Sequence, residues 1–173
     1  MPRILIADDH PLFRLALTQA VRELVPGAQV AEAESLDEAR QDLGTHPDTD
    51  LVLLDLHMPG SHGLMGLAAL RGEFPTVAVV MISAHDDPAV IRRAMAYGAA
   101  GFIPKRAGLE LMREGIGAVL GCEEWLPPSL REQVQAKPAP ATDRELAGRL
   151  AGLTPQQFRV LRRVAEEIGR AHV

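Results

Sequence analysis

Asp8 and Asp9 stand side by side after a short apolar run, and Asp55, Ser83 and Lys105 each follow another such run. If those runs are neighbouring strands, these side chains meet at one edge of a sheet although they are distant in sequence. Open α/β sheets bind ligands at that edge, near the switch in strand order. Three carboxylates gathered in one place repel one another and call for a cation. An oxygen-only cluster with room for waters suits Mg²⁺ or Mn²⁺. A cation beside Asp55 would also neutralise an incoming phosphoryl group and leave one carboxylate oxygen free as a nucleophile. Ser83 can donate its hydroxyl to a phosphoryl oxygen, and Lys105 supplies a point charge. The chemistry that follows is in-line phosphoryl transfer onto an aspartate, driven by positioning and charge neutralisation.

The elements needed to place these groups are legible. Ile4-Leu5-Ile6-Ala7, Leu51-Val52-Leu53-Leu54 and Val77 to Ile82 are continuous apolar runs. Gln29-Val30-Ala31 and Gly101-Phe102-Ile103 are weaker ones. Continuous β-branched or Leu-rich runs suit strands buried on both faces of a parallel sheet. Between them lie segments at helical spacing. Leu12, Leu15, Ala16, Val21 and Leu24 mark the first, stopped by Pro26-Gly27. Ser35 to Glu38 forms a capping box for the second. Leu64, Leu67, Ala68 and Leu70 mark the third. Val90, Ile91, Ala94 and Met95 mark the fourth, with Pro88 in its first turn and Gly98 as its stop. Leu109, Leu111, Met112, Ile116 and Val119 mark the fifth. Five strand–helix units predict a doubly wound α/β sheet with right-handed crossovers over residues 1–120.

Composition narrows the function classes. The 173 residues are 47% hydrophobic and 24% charged, which is globular rather than disordered. A single cysteine, Cys122, excludes an internal disulfide framework. No run reaches the length of a membrane span, and the N-terminus has no signal-peptide pattern, so the reading is cytoplasmic with no membrane partner. Residues 1–120 hold 10 basic and 16 acidic side chains, net −6, which is no nucleic-acid surface. Residues 121–173 hold 8 basic and 7 acidic side chains, net +1. Residues 121–152 read as a linker, with Trp125-Leu126-Pro127-Pro128 breaking any helix and Lys137-Pro138-Ala139-Pro140 following. Trp125 is expected to pack the start of that linker onto the first domain. Beyond it, Thr154-Pro155 starts a short helix whose apolar face is Phe158, Leu161, Val164 and Ile168.

Asp8-Asp9, Asp55 within Leu53 to Gly60, Ser83-Ala84, and Lys105 after Gly98 to Pro104 resemble the receiver domain of two-component response regulators. The resemblance implies a flavodoxin-like sheet of order 2-1-3-4-5 with five flanking helices. It implies that Asp55 accepts a phosphoryl group from the phosphohistidine of a sensor histidine kinase. Asp8, Asp9, Asp55 and the backbone carbonyl of His57 would hold Mg²⁺. Ser83 and Phe102 would form a switch pair, the hydroxyl moving to the phosphoryl group and the ring turning inward. Tyr97 has the wrong spacing from Lys105 for that role. His57 and His85 fall at positions that tune dephosphorylation in the family. Arg92 and Arg93 lie on the face of the fourth helix that receivers use for homodimers or partners.

Asp8-Asp9-His10-Pro11 together with Leu153-Thr154-Pro155 is similar to the NarL/FixJ (LuxR-type) subfamily of transcription regulators. Residues 153–173 then match only the first helix of the helix-turn-helix output domain, and the recognition helix is not among them. The expectation is a regulator that is not an enzyme in the metabolic sense. It would bind DNA only through a complete output domain, with no DNA-binding residue of its own in this chain. The rival is a single-domain receiver acting by protein contact or as a phosphate sink. An aspartyl-phosphate phosphatase would want a second acid where His57 stands. A flavin binder would not place Asp8 and Asp9 where phosphate must sit.

Overall fold

The computed structural model describes residues 1–60 and 62–135. Five strands alternate with helices, in the order β1 (Arg3–Ala7), α1 (Pro11–Leu24), β2 (Gln29–Ala33), α2 (Leu36–Thr45), β3 (Leu51–Asp55) and α3 (Leu64–Glu73). There follow β4 (Ala78–Ser83), α4 (Pro88–Ala96), β5 (Gly101–Pro104), α5 (Leu109–Leu120) and α6 (Pro128–Gln135). The sheet is parallel throughout, with order β2-β1-β3-β4-β5. The chain leaves β1 to one side for β2 and returns to the other side for β3. That reversal opens a crevice at the carboxyl ends of β1 and β3.

Alternation along the strands sorts the core into two layers. Ile4, Ile6, Leu53, Val80, Ile82 and Ile103 face α1 and α5, meeting Leu17, Val21, Met112, Ile116 and Val119. Leu5, Ala7, Val52, Leu54, Met81 and Phe102 face α2, α3 and α4, meeting Leu43, Leu67, Ile91 and Ala94. Every residue of β1, β3, β4 and β5 is buried, because helices cover both faces. The edge strand β2 is the exception and leaves Glu32 exposed.

Local signals end the elements where expected. Ser35 Oγ accepts from Glu38 N at 3.2 Å, and the Glu38 carboxylate reaches back to the N–H of Glu34 at 2.7 Å. Asp87 caps α4 by accepting from Ala89 N, and Gly98 ends it at φ +97°.

The span read as linker holds a sixth helix. Pro127-Pro128 stops the preceding chain, but Pro128 is also the first residue of α6, where its missing N–H is not needed. Leu130 and Val134, one turn apart, bury themselves in the α4-side core. Arg92 donates to the carbonyl of Gln133 at 3.1 Å, so part of the α4 face expected for partners is covered by the chain itself. Eight residues with two apolar positions carry too little periodicity to announce a helix. The helix expected from Thr154 onward lies outside the described residues.

Trp125 anchors this segment as expected. Its ring is 3% exposed and lies against Gly115 of α5, where an added Cβ would stand 2.9 Å from the ring. Its backbone donates to the carbonyl of Ala100 at 3.0 Å and accepts from Phe102 N at 3.2 Å, extending the sheet past β5. That pairing closes an edge that would otherwise template association. Trp125→Ala should lower the unfolding free energy by about 3–5 kcal/mol in urea titrations. Gly115→Ala should also destabilise, and less so in the Trp125→Ala background. A loss below about 1 kcal/mol for Trp125→Ala would contradict the anchor.

Candidate functional site

Each strand end leaves the sheet by the same small turn. Asp8 Oδ1 accepts from the N–H of His10 at 2.7 Å, Asp55 Oδ1 from that of His57 at 3.1 Å, and Ser83 Oγ from that of His85 at 3.0 Å. A short polar side chain bonding the amide two residues on is how Asx and Ser turns redirect a chain. Backbone bonds tie each exit to a neighbouring strand. Asp8 N donates to Ala33, Leu56 N to Ile82, and Lys105 N to Ser83 at 2.7 Å. The expected residues are thus brought to one edge, with Asp8, Asp55 and Lys105 in direct contact.

Lys105 Nζ lies 2.9 Å from Asp8 Oδ2 and 3.2 Å from Asp55 Oδ2. Both carboxylates are 2% exposed, and Asp9 beside them is 35% exposed. One ammonium therefore pairs with two of three clustered acids. Ligand atoms of Asp8, Asp9, His10 and Asp55 all lie within 4.8 Å of one another. The Asp55 carboxyl is held above its ordinary range, first by burial and then by the charge of Asp8. The His57 N–H and the Lys105 ammonium pull it the other way. This donor set fits a hard divalent cation: it is rich in oxygen, short of positive charge, and open on the Asp9 side.

The remaining expected residues surround this core. Ser83 and Phe102 are fully buried, and Phe102 pairs in register with Met81 on the α4 side of the sheet. The ring thus packs inward in this structure, while the Ser83 hydroxyl is occupied by the His85 amide. The rings of His57 and His85 meet edge to face with centroids 4.9 Å apart, both exposed at the mouth.

Two residues of the site were not assigned roles from the sequence. His10 turns its Nδ1 into the carboxylates, 2.9 Å from Asp8 Oδ1 and 3.6 Å from Asp55 Oδ2. Its position two after Asp8, matching His57 and His85, is the signal that was present. Arg14 donates through Nη1 to the Asp8 carbonyl at 2.6 Å. It is held there by Glu32 and Glu34, each at 3.1 Å. Nothing local in the sequence pairs an α1 arginine with acids on an edge strand.

Comparison with known proteins agrees with this geometry. Residues 4–116 match the response regulator receiver domain. The chain belongs to that family. It is 42% identical over 163 residues to the glycerol metabolism activator of Pseudomonas putida, covering 94% of this chain and 72% of the relative. It is 33% identical to the transcriptional activator protein ExaE of Pseudomonas putida, covering 94% and 75%. A crystal structure of a LuxR family DNA-binding response regulator from Silicibacter pomeroyi superposes with a TM-score of 0.66 at 32% identity, covering 75% of this chain and 99% of that one. The chain is thus a response regulator receiver of the NarL/FixJ (LuxR) type, and that family implies a cognate histidine kinase. No helix among the described residues is long and apolar enough to cross a membrane.

The raised Asp55 carboxyl makes a prediction about stability without metal. Between its unfolded value and its higher folded value, the folded state binds more protons, so unfolding free energy falls as pH rises through that window. Above the window, the wild type carries the full penalty of an ionised buried acid. Asp55→Asn removes it. In EDTA, the variant should melt at or above the wild-type temperature at neutral pH and lose its advantage as pH drops below the window. Parallel melting curves across acidic and neutral pH would show that Asp55 is not so penalised.

Proposed function

We propose that Asp55 is the phosphoacceptor of a response regulator that controls transcription. The observation that carries this reading is the Lys105 ammonium clasped between the buried carboxylates of Asp8 and Asp55. An Asp55 carboxylate oxygen attacks the phosphorus of a kinase phosphohistidine. The N–P bond breaks, and its electron pair leaves on the imidazole nitrogen, which is protonated from water. Asp8, Asp9, Asp55 and the His57 backbone carbonyl would hold Mg²⁺, which supplies charge neutralisation between nucleophile and phosphoryl group. Lys105 then releases Asp8 and pairs with a phosphoryl oxygen. Ser83 leaves the His85 amide and donates its hydroxyl to another phosphoryl oxygen. The vacated space beside buried Phe102 couples that movement to α4.

Arg14 holds the Asp8 carbonyl in place and so positions the acid without touching the phosphoryl group. His57 and His85 frame the approach of water and set the lifetime of the phosphoaspartate. The output reading rests on the two activators that align over 94% of this chain, well past the receiver. Residues 121–152 would connect the receiver to that output, and residues 153–173 would begin it.

Acetyl phosphate with Mg²⁺ should add a single phosphoryl mass to the intact protein, and Asp55→Asn should abolish it. An adduct retained in Asp55→Asn would overturn the assignment. Lys105→Ala should still bind Mg²⁺ but should take up phosphoryl more slowly and fail to alter α4 hydrogen exchange. His85→Ala should change the phosphoaspartate lifetime severalfold, read as loss of the mass adduct with time. An unchanged lifetime would leave the His57–His85 pair a surface contact.

A further inference from the structure

Besides its polar contacts, the Lys105 ammonium meets an aromatic ring. Nζ lies 2.9 Å from Asp8 Oδ2, 3.2 Å from Asp55 Oδ2 and 2.9 Å from His10 Nδ1. It also sits over the ring of Phe13, 4.9 Å from the centroid. That distance is within the reach of a cation–π attraction, in which the negative face of the ring draws an ammonium. The side chain of Lys105 is only 15% exposed, so the attraction is little screened.

The ring is fixed from the core side. Phe13 stands one turn before Leu17 and two turns before Val21 on α1, so the three share a face. Leu17 and Val21 are fully buried, and Phe13 packs, half-buried, on the cluster they form with Ile103 and Met112. The inward face of α1 runs through Phe13 and not through Leu12 and Leu15, which are 84% and 54% exposed. Ile103 lies on the α1 side of β5, and Lys105, two residues on, leaves the strand toward the same side. A leucine at position 13 would continue this apolar face equally well. What only an aromatic ring adds is its attraction for the ammonium.

That attraction matters for a lysine that must change partners. In the proposed reaction Nζ leaves Asp8 for a phosphoryl oxygen. Lysine has a long flexible stem, and ordering it is entropically unfavourable. The carboxylate contacts change during the exchange. The ring stays, because its place depends on the core and not on the charges.

We propose that Phe13 is a positioning residue for phosphoryl uptake. Its ring holds the Lys105 ammonium at the strand ends while the ammonium passes from Asp8 to the phosphoryl group. This rests on the phosphoacceptor reading of Asp55 and adds to it a residue from outside the charged cluster.

The test replaces Phe13 in the whole chain by phenylalanines carrying one, two and three ring fluorines. Fluorination withdraws negative charge from the ring face with little change of shape. The rate of acetyl phosphate labelling in Mg²⁺ should fall stepwise with fluorine number. Phe13→Leu should label more slowly than wild type by about two- to thirtyfold, the span of cation–π strengths from exposed to desolvated sites. A second readout needs neither metal nor phosphoryl donor. In nuclear magnetic resonance spectra of the metal-free protein, the ε-methylene protons of Lys105 should lie upfield through the ring current of Phe13 and move back in Phe13→Leu. A labelling rate indifferent to fluorination, or ε-methylene protons that do not move in Phe13→Leu, would overturn the proposal. Wild type labelled at Asp55 with a flat fluorine series removes only the role of Phe13. A wild type that takes no label removes the phosphoacceptor assignment, and the positioning role with it.

Discussion

Two buried carboxylates in contact with one ammonium set the terms for this molecule. Asp8 and Asp55 are nearly inaccessible to water, and their mutual repulsion is only partly offset by Lys105. Burying charge is unfavourable unless it is paired and hydrogen-bonded, and pairs at low dielectric act far more strongly than surface ones. The arrangement persists because each acid is also bonded to an amide and each strand end is tied to its neighbour. The site is thus built with an electrostatic deficit that a cation and a phosphoryl group can relieve together. The elevated Asp55 carboxyl is the measurable trace of that deficit.

The sheet gives this deficit a mechanical outlet. Asp55 and Ser83 end adjacent paired strands, and Phe102 lies in register on the next. Any displacement of the Ser83 hydroxyl toward Asp55 acts on the packing of β4 and β5 against α4. On the outer side of α4, Leu130 and Val134 of α6 share that core, and Arg92 is bonded to the α6 backbone. Packed side chains thus run from the strand ends through α4 to α6. Trp125 fixes the chain just before α6 to β5 and α5.

The three strand-end turns also place three histidines around one mouth, and they do different things. His57 and His85 meet each other across the opening, whereas His10 turns inward to the acids. β1 and β3 flank the reversal of strand order, so the residues after both border the crevice. The loops after β3 and β4 run side by side on the same side of that reversal.

The sequence by itself determined the parallel sheet, its four crossover helices, the helix that follows β5 and the identity of the acids. Those depend on local properties: unbroken apolar runs of strand length, helical spacing, a cap at Ser35, Pro88 in a first turn, and a stop at Gly98. It also determined that Asp8, Asp9, Asp55, Ser83 and Lys105 share an edge, because side chains at strand ends of one parallel sheet must. Tertiary structure alone decided the rest. The Lys105 clasp, the inward turn of His10 and the bracing of Asp8 by Arg14, Glu32 and Glu34 join residues from different elements. No periodicity records such contacts, since they depend on rotamers and on which loops the twist brings together. The helix α6 belongs to the same class. Its two buried side chains are too few to signal a helix, and it takes its stability from the α4 surface it covers.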